Sequence, residues 1–522
     1  MQRRLERSMQ AAPLLTLQGN LGMTDVTVEP RTYRFAPLDR AGWILGLGAA
    51  QCLSVGVGIF LSGALLQAGA HPAVTVVPVA LAALFAFGAW EGRRCYEWLP
   101  LVGSHLVRRV LRKDRWLAAV PLLGGNTTSA LQSLPDFLAG LSIVDAGAVG
   151  WSPAVPTVGG VHDRRERTIS GTLPVRGREF SLVERSEQER LVQQWGDVLG
   201  AFCSERRAVA SVRASERSSS VSARGALCSN IASDADGSDA LASYAEVLAT
   251  AGPLDAGHEV LLTVTVDLRR VRGGNEDRPD DAGKAALLEE LRLLTVRLDA
   301  AGLEPGPPLS PAQIAEAFRS RLDPEGFARS RPVKGSLADA AGLTSPRNCG
   351  PLVVQSEWSR VHIDGSLHRT YWIAEWPRLD VPPNWMETLL LHAAGTRTIA
   401  IHYEPVPPSK AQRRIDRDST RLAADEEQRA KSGFRIGARH RRAQAAVLER
   451  ESELVAGYSE FEFAGFITVS AIDDDELDRA CAEYEQAAAQ VGLELRSLDA
   501  RHDTALACAL PIGRGLARRR WS

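Results

Sequence analysis

The sequence has no Asp, Glu, Lys or Arg between Ala41 and Trp90, a gap too long for an ordinary core helix of a soluble protein. Cysteine is sparse: Cys52, Cys95, Cys203, Cys228, Cys349, Cys481 and Cys508 form no CxxC pair and no regular spacing. That excludes a disulfide-stapled scaffold and suits reduced thiols in a cytoplasmic compartment. Neither sign of charge is in excess, with 61 Lys plus Arg against 63 Asp plus Glu and a formal net charge of -2. The balance excludes a bulk nucleic-acid coat protein and a disordered acidic tail, although it hides local charge separation. At about 150 residues per domain, the 522 residues allow roughly three or four folded units.

Catalytic signatures are missing as well. No GxxxxGK[ST] loop is present, and the pair Gly283-Lys284 lacks both the upstream Gly and the following Ser or Thr. The histidines form neither HExxH nor a Cys/His quartet. Asp473-Asp474-Asp475 lacks the Gly and spaced ligands of a calcium loop and reads as a helix start, where acidic residues complement the dipole. There is no GxSxG elbow, and Ser215 to Ser220 reads as a flexible loop. His362, Asp364 and His368 read as a polar turn before a strand rather than as metal ligands. The expectation is a protein that is not an enzyme, with no catalytic, cofactor-binding or metal-binding residues.

What is present begins with the uncharged stretch, divided at Gln67-Ala68-Gly69-Ala70-His71-Pro72. Trp43 to Leu66 and Val74 to Trp90 are each near the roughly 17 to 25 residues a helix needs to cross a bilayer. Their closeness predicts a two-helix transmembrane hairpin over 41–92, because a backbone in lipid must satisfy its own hydrogen bonds. Arg31, Arg34 and Arg40 precede it, while Arg93, Arg94, Arg108, Arg109, Arg112, Lys113 and Arg115 follow. By the positive-inside bias, both termini are expected on the cytoplasmic side of the plasma membrane, with Trp43 and Trp90 as interfacial anchors. Gly42, Gly46, Ala50, Ser54, Gly58 and Ser62 recur every four residues as a ridge that another helix can approach closely. Two partners compete for that ridge: the second helix of the hairpin, or a membrane helix of another subunit. Gln51 is the one strongly polar side chain in the spans, too little for an ion pathway.

Residues 1–40 make a short N-terminal segment, and 93–160 a basic juxtamembrane run with a loop-rich connector. Beyond them, patterning predicts an α+β body in two comparable parts, 161–350 and 351–522. In the first, Thr168 to Leu173, Glu179 to Val183, Ala208 to Val212 and His258 to Leu268 read as strands. Helices are predicted over Ser186 to Cys203, Ala240 to Ala249, Lys284 to Ala301 and Pro311 to Arg319. In the second, strands Thr370 to Glu375, Thr398 to Tyr403, Glu460 to Ala471 and Leu493 to Leu498 alternate with helices Met386 to Ala393 and Asp474 to Val491. Such alternation predicts ferredoxin-like halves, each an open sheet covered on one face.

A long polar helical hairpin, 409–456, interrupts the second part. Its reversal falls at Gly433-Phe434-Arg435-Ile436-Gly437, and its apolar seam of Ile415, Leu422, Val447, Leu448, Leu454 and Val455 is narrow. Near the tip, Arg435, Arg439, His440, Arg441 and Arg442 read either as a solvated face or as a contact for an acidic partner or nucleic acid.

The run Val361-His362-Ile363-Asp364-Gly365-Ser366-Leu367-His368-Arg369-Thr370-Tyr371-Trp372-Ile373-Ala374-Glu375-Trp376-Pro377-Arg378 resembles the N-terminal, non-catalytic domain of the large TraC-type ATPases of conjugation and type IV secretion. Arg450 to Gly457 before an alternating strand, Gly465 to Ala471 before a helix, and Leu510-Pro511-Ile512-Gly513 agree in order. The hairpin, with Thr32-Tyr33-Arg34-Phe35 ahead of it, is similar to a PrgI-type small membrane subunit fused in front. The arrangement resembles a family of actinobacterial conjugative-element proteins. This resemblance implies a membrane scaffold of a conjugation or type IV secretion-like DNA-transfer apparatus, without the motor. The implied partners are a separate motor ATPase, other membrane subunits and the lipid bilayer, in an oligomeric assembly. A membrane-tethered nucleic-acid-binding module is the alternative.

Overall fold

The structure, a computed structural model, describes residues 33, 35, 49–69, 71–90, 93–118, 134–147, 157–177, 180–204, 208–220, 256–271, 279–330, 350–392, 395–431 and 437–514. After an isolated bridge between Tyr33 and Val381, two helices follow, α1 over Ala49–Gln67 and α2 over Pro72–Phe87. A short ribbon, β1 (Ala89–Trp90) with β2 (Arg93–Arg94), leads into α3 over Cys95–Val110. The first part of the body contributes β3 (Arg115–Leu117), β4 (Leu141–Gly147), β5 (Val158–Asp163) and β6 (Thr168–Arg176). It continues with α4 (Arg185–Gly200), β7 (Val209–Ser220), β8 (Ala256–Asp267) and α5 (Pro279–Ala300). β9 (Glu304–Pro305), α6 (Pro311–Leu322) and α7 (Pro324–Ser330) complete it. The second part runs β10 (Val353–Ser356), β11 (Val361–Ile363), β12 (Ser366–Glu375), α8 (Glu387–Leu390) and β13 (Thr396–Val406). Then come α9 (Pro408–Lys431), α10 (Ala438–Val455), β14 (Glu460–Ala471), α11 (Asp474–Gln490), β15 (Glu494–Ser497) and α12 (His502–Leu506).

Local chemistry explains several of these boundaries. α6 opens with a reciprocal capping box between Ser310 and Gln313 and has Pro311 in its first turn. Asp473 caps α11 by accepting from the Glu476 amide at 2.8 Å, so the acidic triplet is indeed a helix start.

Among the described residues, thirteen strands join in one antiparallel sheet. Its order is β3-β10-β11-β12-β14-β13-β7-β8-β6-β5-β4, with β15 also on β12 and β9 also on β6. Connectivity repeats: β6-α4-β7-β8-α5-β9 has the spatial order β7-β8-β6-β9, and β12-α8-β13-β14-α11-β15 has the order β13-β14-β12-β15. Equivalent strands, β7 and β13, form the junction, pairing antiparallel from Val212 opposite Tyr403 to Ser218 opposite Arg397. The two parts are therefore related by a pseudo-twofold axis near the Ser215–Ala400 pair. An antiparallel junction of this kind leaves equivalent faces on the same side of the sheet.

That symmetry sorts the core into layers. On one face, α4 and α5 bury Val198, Leu199, Leu287, Leu291, Leu294 and Leu298 against Ile169, Leu173, Val212, Leu262 and Val264. On the same face, α11 buries Leu477, Cys481, Tyr484 and Ala488 against Tyr371, Ile373, Ile399, Ile467 and Val469. The opposite face is covered by Ile314, Phe318 and Leu322 of α6 together with Leu506, Leu510 and Ile512 near the C-terminus. Under that second cover the sheet is lined by hydroxyls, which bond across strands: Ser170 with Thr265 at 3.1 Å, Thr172 with Thr263 at 2.9 Å and Thr370 with Thr468 at 3.1 Å.

The structure corrects several expectations. Phe180 to Leu182 are turns and Val183 a bend, so these residues do not form the strand expected over Glu179 to Val183, whose first residue lies outside the described residues. Ser215 to Ser220, read as a flexible loop, is the second half of β7, because both of its edges find partners in β8 and β13. The connector 93–160 supplies β3, β4 and β5 to the same sheet, so the two halves are not separate sheets but one. The helix expected over Ala240 to Ala249 lies outside the described residues, as does the reversal at Gly433 to Ile436.

Candidate functional site: an apolar helical pair and the polar face of the sheet

α1 and α2 pack antiparallel with their few polar atoms turned inward. The Gln51 amide of α1 donates to the Ala86 carbonyl of α2 at 3.0 Å. Gly58 sits where a Cβ would lie 2.5 Å from the Ala82 Cβ and 3.0 Å from the Pro78 carbonyl, so only glycine permits this approach. Ser62 is buried in the same seam, and Ser54 instead bonds back to the Ala50 carbonyl at 2.8 Å. Of the small-residue ridge, then, Gly58 and Ser62 face the companion helix of the same chain, and Ala50 is exposed. Gly42 and Gly46 lie outside the described residues. At the other end, His71 caps α2 by accepting from the Ala73 amide, with Pro72 in the first turn.

Outward, the pair is mostly apolar: Leu53, Ile59, Phe60, Leu66, Leu81 and Leu84 are exposed, Phe60 at 75%. By length and composition one helix, Ala50–Gln67, is able to cross a membrane, and the apolar part of α2, Ala73–Phe87, is shorter. The expectation of two full spans is corrected to this extent. α2 rises about 24 Å at 1.5 Å per residue, less than the ~30 Å hydrocarbon core. Trp43 lies outside the described residues. Replacing Gly58 with Leu should force α1 and α2 apart at a cost of about 1–3 kcal/mol; a loss of thermal stability in detergent, with Gly63→Leu as the control in open space, checks it.

The basic hairpin tip is only partly in view. Arg435 lies outside the described residues, Arg439 is in the first turn of α10, and Arg441 and Arg442 are exposed on it. Arg450 of the same helix is engaged, bonding Glu460 at 2.8 Å and Asp418 at 3.3 Å, and so it ties the hairpin to β14.

His362, Asp364 and His368 do not converge. Asp364 is the turn between β11 and β12, accepts the amides of Leu352 and Val353, and pairs with Arg319 at 2.6 Å. His368 is buried under the second cover, its Nε2–H donating to the Leu322 carbonyl and its Nδ1 facing the Ser470 hydroxyl, both at 2.8 Å. Among the described residues no group of three or more His, Cys, Asp or Glu could hold a metal ion.

Burial pushes the His368 imidazole down from its ordinary 6.5 to about 4. The unfolded chain therefore binds a proton that the folded chain refuses across that window. Stability is fully present above the unfolded value and falls as pH drops toward the folded one, by at most ~3 kcal/mol. His402, buried on the same face, is shifted in the same direction by burial first and also by Arg213. Denaturation midpoints measured between neutral and mildly acidic pH should show this loss, and His368→Gln should flatten it; an unchanged slope in that variant assigns the titration elsewhere.

Sequence reasoning missed Arg213. This side chain of β7 is 2% exposed and, among the described residues, has no carboxylate partner. Its guanidinium donates to the carbonyls of Ala507 at 3.2 Å, Leu510 at 2.8 Å and Arg514. Burial pulls its pKa down. The segment it holds crosses the sheet so closely at Gly513 that a Cβ there would stand 2.6 Å from the Ser170 hydroxyl. Arg514 then pairs with Asp163 at 2.6 Å and donates to the Phe137 and Ala139 carbonyls. The one signal in the sequence was the alternation of Ser and Thr at 170, 172, 263, 265, 468 and 470, which marks a polar face without naming its cover. Compared with known proteins, no family model and no curated protein matches this chain.

Proposed function

We propose that this chain is a membrane-anchored, non-catalytic structural subunit of a conjugation or type IV secretion-like DNA-transfer apparatus, whose α+β body docks a separate motor ATPase. The observation that carries the reading is a division of chemistry within one chain. α1 and α2 turn aliphatic and aromatic side chains outward and polar atoms inward. The body has the opposite arrangement, with a helix-covered apolar core. Helices packed inside out by small residues suit lipid, where van der Waals fit replaces the hydrophobic effect. In this reading α1 enters the bilayer with α2 along it, and the body stands on the cytoplasmic side beside the basic run. Its two ferredoxin-like halves, joined through β7 and β13, make one platform.

The transfer-apparatus part rests on the motif order that resembles the TraC-type N-terminal domain. Val361 to Arg378 falls on β11, β12 and the turn after them, Gly465 to Ala471 on β14, and Leu510 to Gly513 on the segment under Arg213. Phe35, from the start that resembles the small membrane subunit, stacks on Trp376 at 5.2 Å. Detergent-solubilised protein should hydrolyse no ATP and should recover an ATPase from native membranes. Hydrolysis abolished by a substitution in this chain would overturn the proposal. Salt-dependent DNA binding lost in Arg441→Glu/Arg442→Glu would instead establish the nucleic-acid-binding alternative.

A further inference from the structure

We infer that α3 lies in the plane of an anionic membrane surface with its outward side in the headgroup region. This rests on the membrane reading above and extends it from the hairpin to the body. One side of α3 belongs to the body: Trp98 stacks on Trp358 with ring centroids 6.0 Å apart, His105 meets the same indole edge-on at 5.3 Å, Leu101 is buried, and Arg108 pairs with Asp503. At 3.6 residues per turn those four positions share an arc of about 80°. Centred about 120° round the helix from that arc, Leu99, Val102, Leu106 and Val110, spaced three and four apart, are all exposed, Leu99 at 61% and Val110 at 73%. A helix docked on a water-facing body ordinarily turns polar residues outward; this one turns an aliphatic stripe.

Continuity and charge identify what covers the stripe. The Cys95 amide donates to the Gly88 carbonyl at 2.9 Å, so α3 starts directly beneath the apolar pair. No Asp or Glu occurs from Trp98 to Lys113, while Arg109, Arg112, Lys113 and Arg115 cluster toward its end. Basic residues at a membrane surface each gain about 1 kcal/mol from anionic lipid. Aliphatic side chains on one face bordered by Arg and Lys are the composition of a helix that seats itself ~5–10 Å into the headgroup boundary. Because its other side is fastened through Trp358 and Asp503, such a helix sets the tilt of the whole sheet against the membrane.

The test uses the full-length chain in vesicles of phosphatidylcholine with one quarter phosphatidylglycerol and no other protein. An environment-sensitive fluorescent amino acid replaces Leu106, Phe60 or the exposed body residue Leu182 in separate preparations. The Leu106 probe should be quenched at least threefold more by nitroxide-bearing lipid than the Leu182 probe, and shielded from aqueous iodide. A Phe60 probe in lipid with a Leu106 probe open to iodide would overturn this inference and leave the membrane reading standing. Both probes open to iodide would overturn both. Shielding from iodide without quenching by the lipid nitroxide would assign the stripe to a second copy of the chain, and would also overturn it.

Discussion

The full-length protein should sediment with membranes, resist alkaline carbonate extraction, and require detergent for solubility. A single arginine at Phe60 should not change that. The magnitudes decide the point: six outward side chains, Leu53, Ile59, Phe60, Leu66, Leu81 and Leu84, each favour leaving water by about 2 kcal/mol. One arginine at mid-helix costs about 3 kcal/mol on the translocon scale, well short of that total of roughly 12 kcal/mol. Four outward arginines, at Leu53, Phe60, Val77 and Leu84, cost about 12 kcal/mol, roughly twice the ~6 kcal/mol that Ile59, Leu66 and Leu81 still contribute. That variant should appear in the soluble fraction. Wild-type protein that stays in solution without detergent would sink the membrane anchor, whatever the variants do.

Arg213→Met should be the most destabilising single substitution in the body. Removing the guanidinium leaves three buried carbonyls, of Ala507, Leu510 and Arg514, short of a donor. An unsatisfied buried polar group costs about 1–3 kcal/mol, and the neutral side chain recovers part of this because a desolvated cation is removed with it. The net loss should be about 3 kcal/mol, against a typical ~1 kcal/mol for point changes. It should be local as well as global. Residues 507–514 should lift off the hydroxyl-lined face, so limited trypsin digestion should cut after Arg514 in the variant far faster than in the wild type. Arg213→Lys, with one ammonium for three carbonyls, should fall between. A variant as stable and as protease-resistant as the parent would show that the segment is held by its apolar contacts alone.

Where side-chain pattern and neighbours agree, the sequence was legible. Glu460 to Ala471 reads as a strand from its own alternation and is one, since a half-apolar strand needs no knowledge of its partners. The polar helices at 409–456 follow from propensity and appear as α9 and α10. β7 behaves differently. Ser215 to Ser220 has no apolar alternation, and its extended form exists because β8 and β13 satisfy both edges. β4 and β5 were hidden in a glycine-rich stretch for a related reason: Gly159 passes against Ile314 and Pro311 of α6, a contact made by a helix 150 residues later in the chain.

By itself the sequence determined the uncharged stretch, the alternation of helices and strands, and the lack of catalytic motifs, because each depends on residues close together in the chain. Only the tertiary structure decided that two parts share one sheet through equivalent edge strands. It also places Gly58 and Ser62 in the seam between α1 and α2, and brings the buried Arg213 onto three carbonyls of the C-terminal segment. Register, burial and the partner of a charge arise from long-range contacts, and those are set by how surfaces meet, not by local order along the chain.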